Sequence, residues 1–149
     1  MATIHLPIEF KEFLQLLNAR KVDYLVVGGY PVSYYGYARS TADIDVWIRT
    51  TKKNAALLSR ALVDFGFDQK NVRPELLQRK GRIFRIGVPP LRIDILTDIS
   101  GVTFSKCFAG RTVAKIDGIS VNIISLKDLK KNKKASGRLK DLDDLENLP

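Results

Sequence analysis

The sequence has almost none of the two residue types that most often combine metal binding with acid–base chemistry, cysteine and histidine. Its 149 residues include one cysteine and one histidine. A single cysteine, Cys107, excludes an intramolecular disulfide and a cysteine-based zinc cluster. Its neighbours Phe104 and Phe108 favour a small core residue over a nucleophile. Because His5 lies at a terminus that we expect to fray, histidine-based acid–base catalysis is not expected.

Long hydrophobic runs and low-complexity stretches are also missing. No apolar run approaches the ~20 residues that a helix needs to cross a bilayer, and the N-terminus lacks the pattern of a signal peptide. The chain has no linker rich in glycine, serine or proline and no internal repeat. Its 45% hydrophobic content is enough to bury one substantial core. These features predict a single cytoplasmic domain over residues 1–149 with no membrane contact.

Three aspartates remain as candidate metal ligands. In the segment 43–48 the acids alternate with apolar residues, which is the period of a strand, so Asp43 and Asp45 point to one face. Two acids on one face repel each other unless a cation lies between them. Asp94, in a second apolar strand, could complete a set that suits a hard cation such as Mg²⁺. The pattern predicts a divalent-metal site, and the alternative is an exposed edge strand with Asp94 in an ordinary salt bridge.

A pair of glycines, Gly28 and Gly29, precedes the acidic strand. It follows a short apolar segment, 23–27, and leads into a plausible helical turn at 30–37. Glycine lets the backbone approach a ligand closely, and the N–H groups at a helix start favour an anion such as phosphate. A glycine pair alone most often marks a turn. Combined with the acids, it predicts an anion cradle followed by a metal platform, which phosphoryl transfer requires.

This run resembles the signature of the nucleotidyltransferase fold, the superfamily that includes polymerase β and the aminoglycoside nucleotidyltransferases. In these proteins a Gly-Ser or Gly-Gly turn precedes an Asp-x-Asp strand, and a third Asp follows on a neighbouring strand. More closely, the chain resembles the small bacterial proteins grouped with the AbiEii abortive-infection toxins. That likeness covers the glycine turn, the segments 39–45 and 86–96, and the tail 134–145.

The resemblance implies the roles of particular residues. Asp43, Asp45 and Asp94 would be catalytic and would hold Mg²⁺ or Mn²⁺, with an NTP as the substrate. Asp94 would also help to take the proton of the acceptor. The nucleotide would be bound by the following residues: Gly28, Gly29, Arg39, Ser40, Thr41 and Lys134.

The chain departs from the family pattern at the glycine turn. Many members carry serine as the second residue of the turn, where its hydroxyl helps to hold a terminal phosphate, and this chain has Gly29. Backbone N–H groups could replace that hydroxyl, or it could come from Ser33, Ser40 or Thr41. Phosphate binding at the turn is therefore expected, with its donors left open.

The formal charge of +9 points to an anionic partner. Basic residues crowd into a short stretch near the C-terminus, which suits RNA, although a solubilising helix face explains it equally well. Asp141 and Asp144, three residues apart on a predicted helix, could orient Lys134 or Arg138, or could be helix-end charges that suit the dipole. The candidate RNA contacts are Lys127, Lys130, Lys131, Lys133 and Arg138.

The order of predicted elements supports the same fold independently. Hydrophobic periodicity predicts helices and alternation predicts strands, with a break at Pro89-Pro90 and a turn at Asp117-Gly118. The predicted helices span 8–20, 30–37, 54–65, 126–135 and 139–148. The predicted strands span 23–27, 43–48, 82–88, 91–96, 111–116 and 120–124. This order predicts an α/β fold, an α+β mixed sheet flanked by helices.

We therefore expect a minimal, metal-dependent nucleotidyltransferase that moves an NMP from an NTP to an acceptor hydroxyl or phosphate, with RNA and a toxin-like role under consideration. The alternative is a non-catalytic member that binds RNA or a protein partner, such as one component of a toxin–antitoxin pair. The intact carboxylates argue against this alternative, and the lack of a second, substrate-holding domain argues for it. Antibiotic modification is disfavoured because aminoglycosides are cations and the chain is basic.

Overall fold

The computed structural model describes residues 4–39, 41–87 and 91–149. The helices are α1 (Ile8–Ala19), α2 (Gly29–Tyr34), α3 (Lys52–Asp64), α4 (Pro74–Leu77), α5 (Phe104–Ala109), α6 (Leu126–Ser136) and α7 (Leu139–Asn147). The strands are β1 (Tyr24–Val27), β2 (Asp43–Ile48), β3 (Ile83–Ile86), β4 (Arg92–Leu96), β5 (Thr112–Ile116) and β6 (Ile119–Ile123). A short 3-10 turn spans Gln69–Asn71.

The six strands form one mixed sheet in the order β3-β4-β2-β1-β6-β5. Strand β2 lies between β1, to which it is antiparallel, and β4, to which it is parallel. The tight turn between β5 and β6 is made by Asp117 and Gly118, both with positive φ, as the sequence predicts. The predicted mixed sheet flanked by helices is confirmed.

Alternation along β2 separates the hydrophobic core from the functional face. Ile44 and Val46 point into a core formed with α1 and α3, where they contact a cluster that includes Phe13 and Leu58. Asp43, Asp45 and Trp47 point to the other face of the sheet. Trp47 is buried there in a second cluster that includes Leu129 of α6. The acids therefore lie on the face that α5, α6 and α7 partly cover.

Local signals at helix ends agree with the observed boundaries. Thr51 caps α3 by accepting a hydrogen bond from the Asn54 backbone N–H, and Ser125 caps α6 in the same way through Asp128. Gly137 adopts φ +68° and ends α6, so that α7 can start after a sharp turn. These caps fix where the two C-terminal helices begin relative to the sheet.

The structure also departs from the predicted elements. Helix α2 ends at Tyr34, so the predicted turn to Tyr37 is too long, and α3 begins two residues before the predicted Asn54. Helices α4 and α5 were not predicted, because four and six residues are too few to show a helical period. Pro89 and Pro90 fall outside the described residues. Cys107 is buried in the core, as predicted.

In the described part of the chain, no helix is both long enough and apolar enough to cross a membrane.

Candidate active site

The pairing of β2 with β4 brings the predicted acids together. In this parallel pair Asp45 lies opposite Asp94, and Asp43 lies opposite Arg92. Side chains directly opposite on neighbouring strands share one face of the sheet. The third carboxylate therefore comes from the neighbouring strand, as the sequence predicts, and Arg92 completes a square of three acids and one base.

These residues line a cavity of about 390 Å³ at the end of β1. The glycine turn, Gly28 and Gly29, forms one wall. The opposite wall comes from the loop that follows β4 and from α6 and α7. Among the predicted site residues, the cavity lining includes Gly28, Gly29, Arg39, Thr41, Asp43, Asp45 and Asp94.

Both glycines lie close to neighbouring side chains. Gly28 has φ +76°, and a Cβ placed there would lie 2.2 Å from Oδ2 of Asp45. A Cβ on Gly29 would lie 3.0 Å from Oγ1 of Thr41 and 3.2 Å from Nη2 of Arg39. The turn is thus packed directly against the acidic strand and the loop before it. A side chain at position 28 would therefore displace Asp45, and one at position 29 would have to push Thr41 and Arg39 aside by a few tenths of an ångström.

The loop that precedes β2 is held by its own polar side chains. Thr41 donates a hydrogen bond from Oγ1 to the carbonyl of Asp43 (3.0 Å), and Ser33 donates from Oγ to the carbonyl of Arg39 (3.2 Å). Of the three hydroxyls considered for phosphate binding, only that of Thr41 is on a described residue that lines the cavity. The hydroxyl of Ser33 donates its hydrogen bond to the loop, and Ser40 lies outside the described residues.

A guanidinium bridges two of the three carboxylates. Nη2 of Arg92 lies 3.0 Å from Oδ2 of Asp43, and Nε lies 3.0 Å from Oδ1 of Asp94. Nη2 also contacts Oδ2 of Asp94 at 3.3 Å. These neighbouring carboxylates raise the pKa of Arg92, Asp94 most of all. The Asp-x-Asp pattern gives no indication of this bridge, although an arginine two residues before Asp94 on a strand must share its face.

Asp45 is in a different electrostatic position from its neighbours. Burial raises its pKa from 3.8 to about 6, and the charges of Asp94 and Asp43 add to that shift. The positive charges of Lys140 and Lys133 act in the opposite direction and lower the pKa of Asp45. A cation added beside such a carboxylate would favour its ionised form and lower its pKa.

The site fits a divalent cation in the chemistry of its donors. Asp43, Asp45 and Asp94 supply carboxylate oxygens, which Mg²⁺ and Mn²⁺ prefer. Within the described ranges, however, no three acidic, histidine or cysteine side chains are grouped closely enough to hold a metal. The guanidinium of Arg92 lies between Asp43 and Asp94, and this is a physical reason why the carboxylates are not closer together.

Two lysines of the C-terminal region line the cavity, Lys133 and Lys140, and the predicted Lys134 is not one of them. Lys134 is exposed on α6 and does not line the cavity. The side chain of Lys133 is only 3% exposed, and its Nζ lies 3.1 Å from Oδ1 of Asp141 and 3.0 Å from Oδ2 of Asp144. Burial of Leu129 one turn earlier on α6 is the signal that could have identified position 133 as inward. A nucleotide contact by Lys134 stays a prediction, and this geometry gives it no support.

Asp141 and Asp144 are buried, each 1% exposed, and both form ion pairs with Lys133. Burial alone would raise the pKa of Asp141, but hydrogen bonds from Arg138, Ser136 and Lys133 lower it to about 2. Asp144 receives two hydrogen bonds from Arg39, at 2.7 and 2.9 Å. The interpretation as helix-end charges does not account for this burial. The two acids hold Arg39, Lys133 and Arg138 in one network.

The remaining predicted RNA contacts divide into two groups. Lys133 and Arg138 belong to the cavity, as described above. Lys127 and Lys131 are exposed on α6, and Lys130 is partly buried and donates a hydrogen bond to the carbonyl of Pro149. RNA could therefore contact Lys127, Lys130 and Lys131 without disturbing the cavity.

Comparison with known proteins identifies the family of this chain. The model of the aminoglycoside-2''-adenylyltransferase family matches residues 9–148. The chain belongs to this family. Its membership supports the nucleotidyltransferase superfamily and leaves the expected AbiEii-like subtype unconfirmed. No curated protein matches the chain.

Among solved structures, the chain is similar to a candidate nucleotidyltransferase from Thermotoga maritima. The TM-score is 0.63 at 16% sequence identity, and the match covers 97% of this chain and 94% of the other. At this identity the similarity shows the fold alone. It confirms the nucleotidyltransferase fold that the sequence predicts.

Proposed function

We propose that the chain is a metal-dependent nucleotidyltransferase that moves an NMP, with ATP as the first donor to test, onto an acceptor hydroxyl. The observation that carries the proposal is the pairing of Asp45 with Asp94 beside the glycine turn in one cavity. The adenylyltransferase family supports ATP as the donor. A binding module that had lost catalysis would have no need to keep three carboxylates at this junction.

The two walls of the cavity suit different parts of the donor. We assign the contacts with the phosphate oxygens to the backbone of the Gly28–Gly29 turn. Lys140 and Arg138 face the same space from α7 and its cap. Mg²⁺ or Mn²⁺ held by Asp43, Asp45 and Asp94 would supply positive charge to the phosphate oxygens.

The proposed reaction is an in-line displacement at the α-phosphorus. An oxygen of the acceptor forms a bond to this phosphorus while the bond from it to the bridging oxygen of the β-phosphate breaks. Pyrophosphate leaves with the electron pair of that bond. We assign the proton of the acceptor to Asp94, whose side chain is 10% exposed and lies next to Asp45. Positioning and charge stabilisation are the main tasks of the protein in such a step.

An aminoglycoside is the acceptor that the family description names, and the cavity is compatible with a cation. The argument against antibiotics uses the net charge of the whole chain, but charges in the cavity are almost balanced. Its basic lining residues are Arg39, Arg85, Arg92, Lys133, Arg138 and Lys140, and its acidic ones are Asp43, Asp45, Asp94, Asp98 and Asp141. The excess positive charge of the protein therefore lies outside the cavity.

RNA is a second candidate acceptor, supported by the outer face of α6. Lys127, Lys131 and Lys134 are all exposed and follow one another at intervals of four and three residues. Side chains at this spacing share one helix face. Such a face attracts a phosphate backbone in a salt-dependent manner. It supports binding outside the cavity, next to α6.

The proposal is tested with purified protein, Mg²⁺ and each α-labelled NTP, offered an aminoglycoside in one series and total RNA in another. We expect label to move from ATP to one of the acceptors, with release of pyrophosphate. Asp45→Asn should abolish the transfer, and Arg60→Gln, on the exposed face of α3, should leave it unchanged. If RNA is bound but no label moves with Mg²⁺ or Mn²⁺, the binding module is favoured. If neither acceptor nor nucleotide is bound, a protein partner becomes the better explanation.

A further inference from the structure

Arg92 lies on the acidic face of the sheet, and the proposed reaction does not use it. Its register partner on β2 is Asp43, and Asp94 is two residues further along its own strand. Both neighbours therefore point to the same face of the sheet as Arg92. This placement puts a permanent positive charge inside the group of acids.

The contacts of Arg92 occupy the oxygens that a cation would need. Its guanidinium donates to Oδ2 of Asp43 and to both carboxylate oxygens of Asp94, at 3.0 to 3.3 Å. A divalent ion binds carboxylate oxygen at about 2.1 Å in octahedral geometry. An ion that joined Asp43 to Asp94 would fall where the guanidinium lies. The two cations also repel each other, so they exclude one another on steric and electrostatic grounds.

We propose that Arg92 occupies the cation position in the free protein and is displaced when a divalent cation enters, so that it sets the affinity of the site for the metal. The inference rests on the proposed function, because it takes Asp43, Asp45 and Asp94 as the ligands. Arg92 thus offsets part of the negative charge of Asp43 and Asp94 before the metal arrives.

The surroundings of Arg92 allow it to leave. Its side chain is 31% exposed, whereas that of Asp94 is 10% exposed, so the acid is fixed inside while the base reaches the rim. Asp43 is 37% exposed and can turn with it. Arg85 lies on the other side of Asp94, with Nε 3.9 Å from Oδ1, and is 61% exposed. Once displaced, Arg92 would join Arg85 at the mouth of the cavity, where an incoming triphosphate carries negative charge.

Asp45 is not a contact of the bridge, and this asymmetry fits the proposal. The hydrogen bonds of Arg92 go to Asp43 and Asp94. The guanidinium therefore offsets charge at the pair that it touches. A metal that replaced it would contact all three. The competing interpretation is a static salt bridge that only stabilises the strands.

Titration of the nucleotide-free protein with Mn²⁺ separates these interpretations. Calorimetry and the spin-resonance signal of free Mn²⁺ both measure the affinity without any turnover. We expect Arg92→Gln to bind Mn²⁺ about tenfold more tightly or better, since a unit charge a few Å from the ion is removed. Arg92→Lys keeps the charge but cannot donate the paired hydrogen bonds of a guanidinium. Its affinity for Mn²⁺ should therefore lie between those of wild type and Arg92→Gln. Arg60→Gln removes a distant exposed charge and should match wild type.

Thermal unfolding of the same proteins gives a second measurement. Without metal, Arg92→Gln should melt at a lower temperature than wild type, because three acids lose their base. Mn²⁺ should then raise its melting temperature more than that of wild type. If Arg92→Gln does not fold, the comparison of Arg92→Lys with wild type still tests the affinity.

Each result decides between the interpretations. Equal or weaker Mn²⁺ binding by Arg92→Gln and Arg92→Lys, with wild type binding at the acids, would overturn the competition and leave the proposed function intact. Binding that Asp45→Asn does not reduce, or no binding by any variant, would overturn both.

Discussion

The cavity contains two groups of aspartates that differ in how their charge is balanced. On the sheet, burial and neighbouring acids raise the pKa of Asp45 to about 6. On α7, hydrogen bonds from Arg138, Ser136 and Lys133 overcome burial and lower the pKa of Asp141 to about 2. The pKa of an aspartate is thus raised in one group and lowered in the other, although both residues line the same cavity. The α7 group is complete in itself, and the sheet group is balanced only in part by Arg92.

This difference assigns different tasks to the two groups. The α7 network ties Arg39, before β2, to Lys133 and Arg138 around α6, and so forms one side of the cavity. The sheet group keeps its excess negative charge facing the cavity. Structural groups are normally paired, whereas functional sites often hold groups with perturbed pKa values.

The largest expected effect comes from breaking the paired network. Lys133→Ala would leave the carboxylates of Asp141 and Asp144 buried without their shared lysine, so we expect a loss of about 3–5 kcal/mol in the free energy of unfolding. Urea unfolding measures it. Lys134→Ala, an exposed neighbour on the same helix, is the matched control and should change stability by less than about 0.5 kcal/mol. Equal effects would mean that the network does not hold the helices.

The next effect concerns the turn beside the acidic group. Gly28→Ala combines a positive φ with a Cβ 2.2 Å from Oδ2 of Asp45, so it should cost about 2–3 kcal/mol and displace Asp45. Gly118→Ala has a similar φ, +81°, with nothing within 4 Å of the added Cβ. It should cost only about 1 kcal/mol. The difference between the two variants in urea unfolding measures the clash together with the strain that ψ −136° adds at Gly28. No difference would contradict the close packing at the turn.

A smaller effect, of opposite sign, is expected at Asp45. Its pKa is higher in the folded state than the ordinary 3.8, so the folded state binds the proton more tightly, and stability falls as pH rises from about 4 to 6. Asp45→Asn should remove that loss and make the metal-free protein more stable at pH 8 by about 1–3 kcal/mol. The gain should disappear below pH 4. Unfolding in the presence of a chelator, across this range of pH, measures it.

Asp141→Asn tests the opposite side of the comparison with the same chemical change. Because the pKa of Asp141 is lowered to about 2, its charge stabilises the folded protein above about pH 4, and that contribution is lost as pH falls towards 2. The variant should therefore be less stable than wild type at pH 8. A stabilised Asp141→Asn or a destabilised Asp45→Asn would contradict the division into a paired and a partly balanced group.

The sequence was enough to predict the features that depend on local patterns. Alternation along β2 predicts that Asp43 and Asp45 share a face, and the glycine pair predicts a close approach. Asp94 as a third acid on a neighbouring strand followed from the resemblance. The mixed sheet is confirmed for the same reasons, since strand and helix periods are visible over five or more residues.

Features that depend on tertiary packing were not predictable in the same way. Whether position 133 or 134 points inward depends on the rotation of α6 against the sheet, which the run of lysines does not reveal. Asp141 and Asp144 look like ordinary helix charges until Arg39, about a hundred residues earlier in the chain, is placed beside them. The bridge made by Arg92 follows from the register of β2 with β4, which is a property of the folded sheet.

The central claim is that the carboxylates at the glycine turn catalyse nucleotidyl transfer, and transfer of label from α-labelled ATP with simultaneous pyrophosphate release tests it most directly. With Mg²⁺ and an aminoglycoside or RNA, wild type should give labelled acceptor and pyrophosphate in equal amounts. Asp45→Asn should lower the rate at least about a hundredfold while still folding. Equal rates for wild type and Asp45→Asn, or release of pyrophosphate without labelled acceptor, would contradict the account.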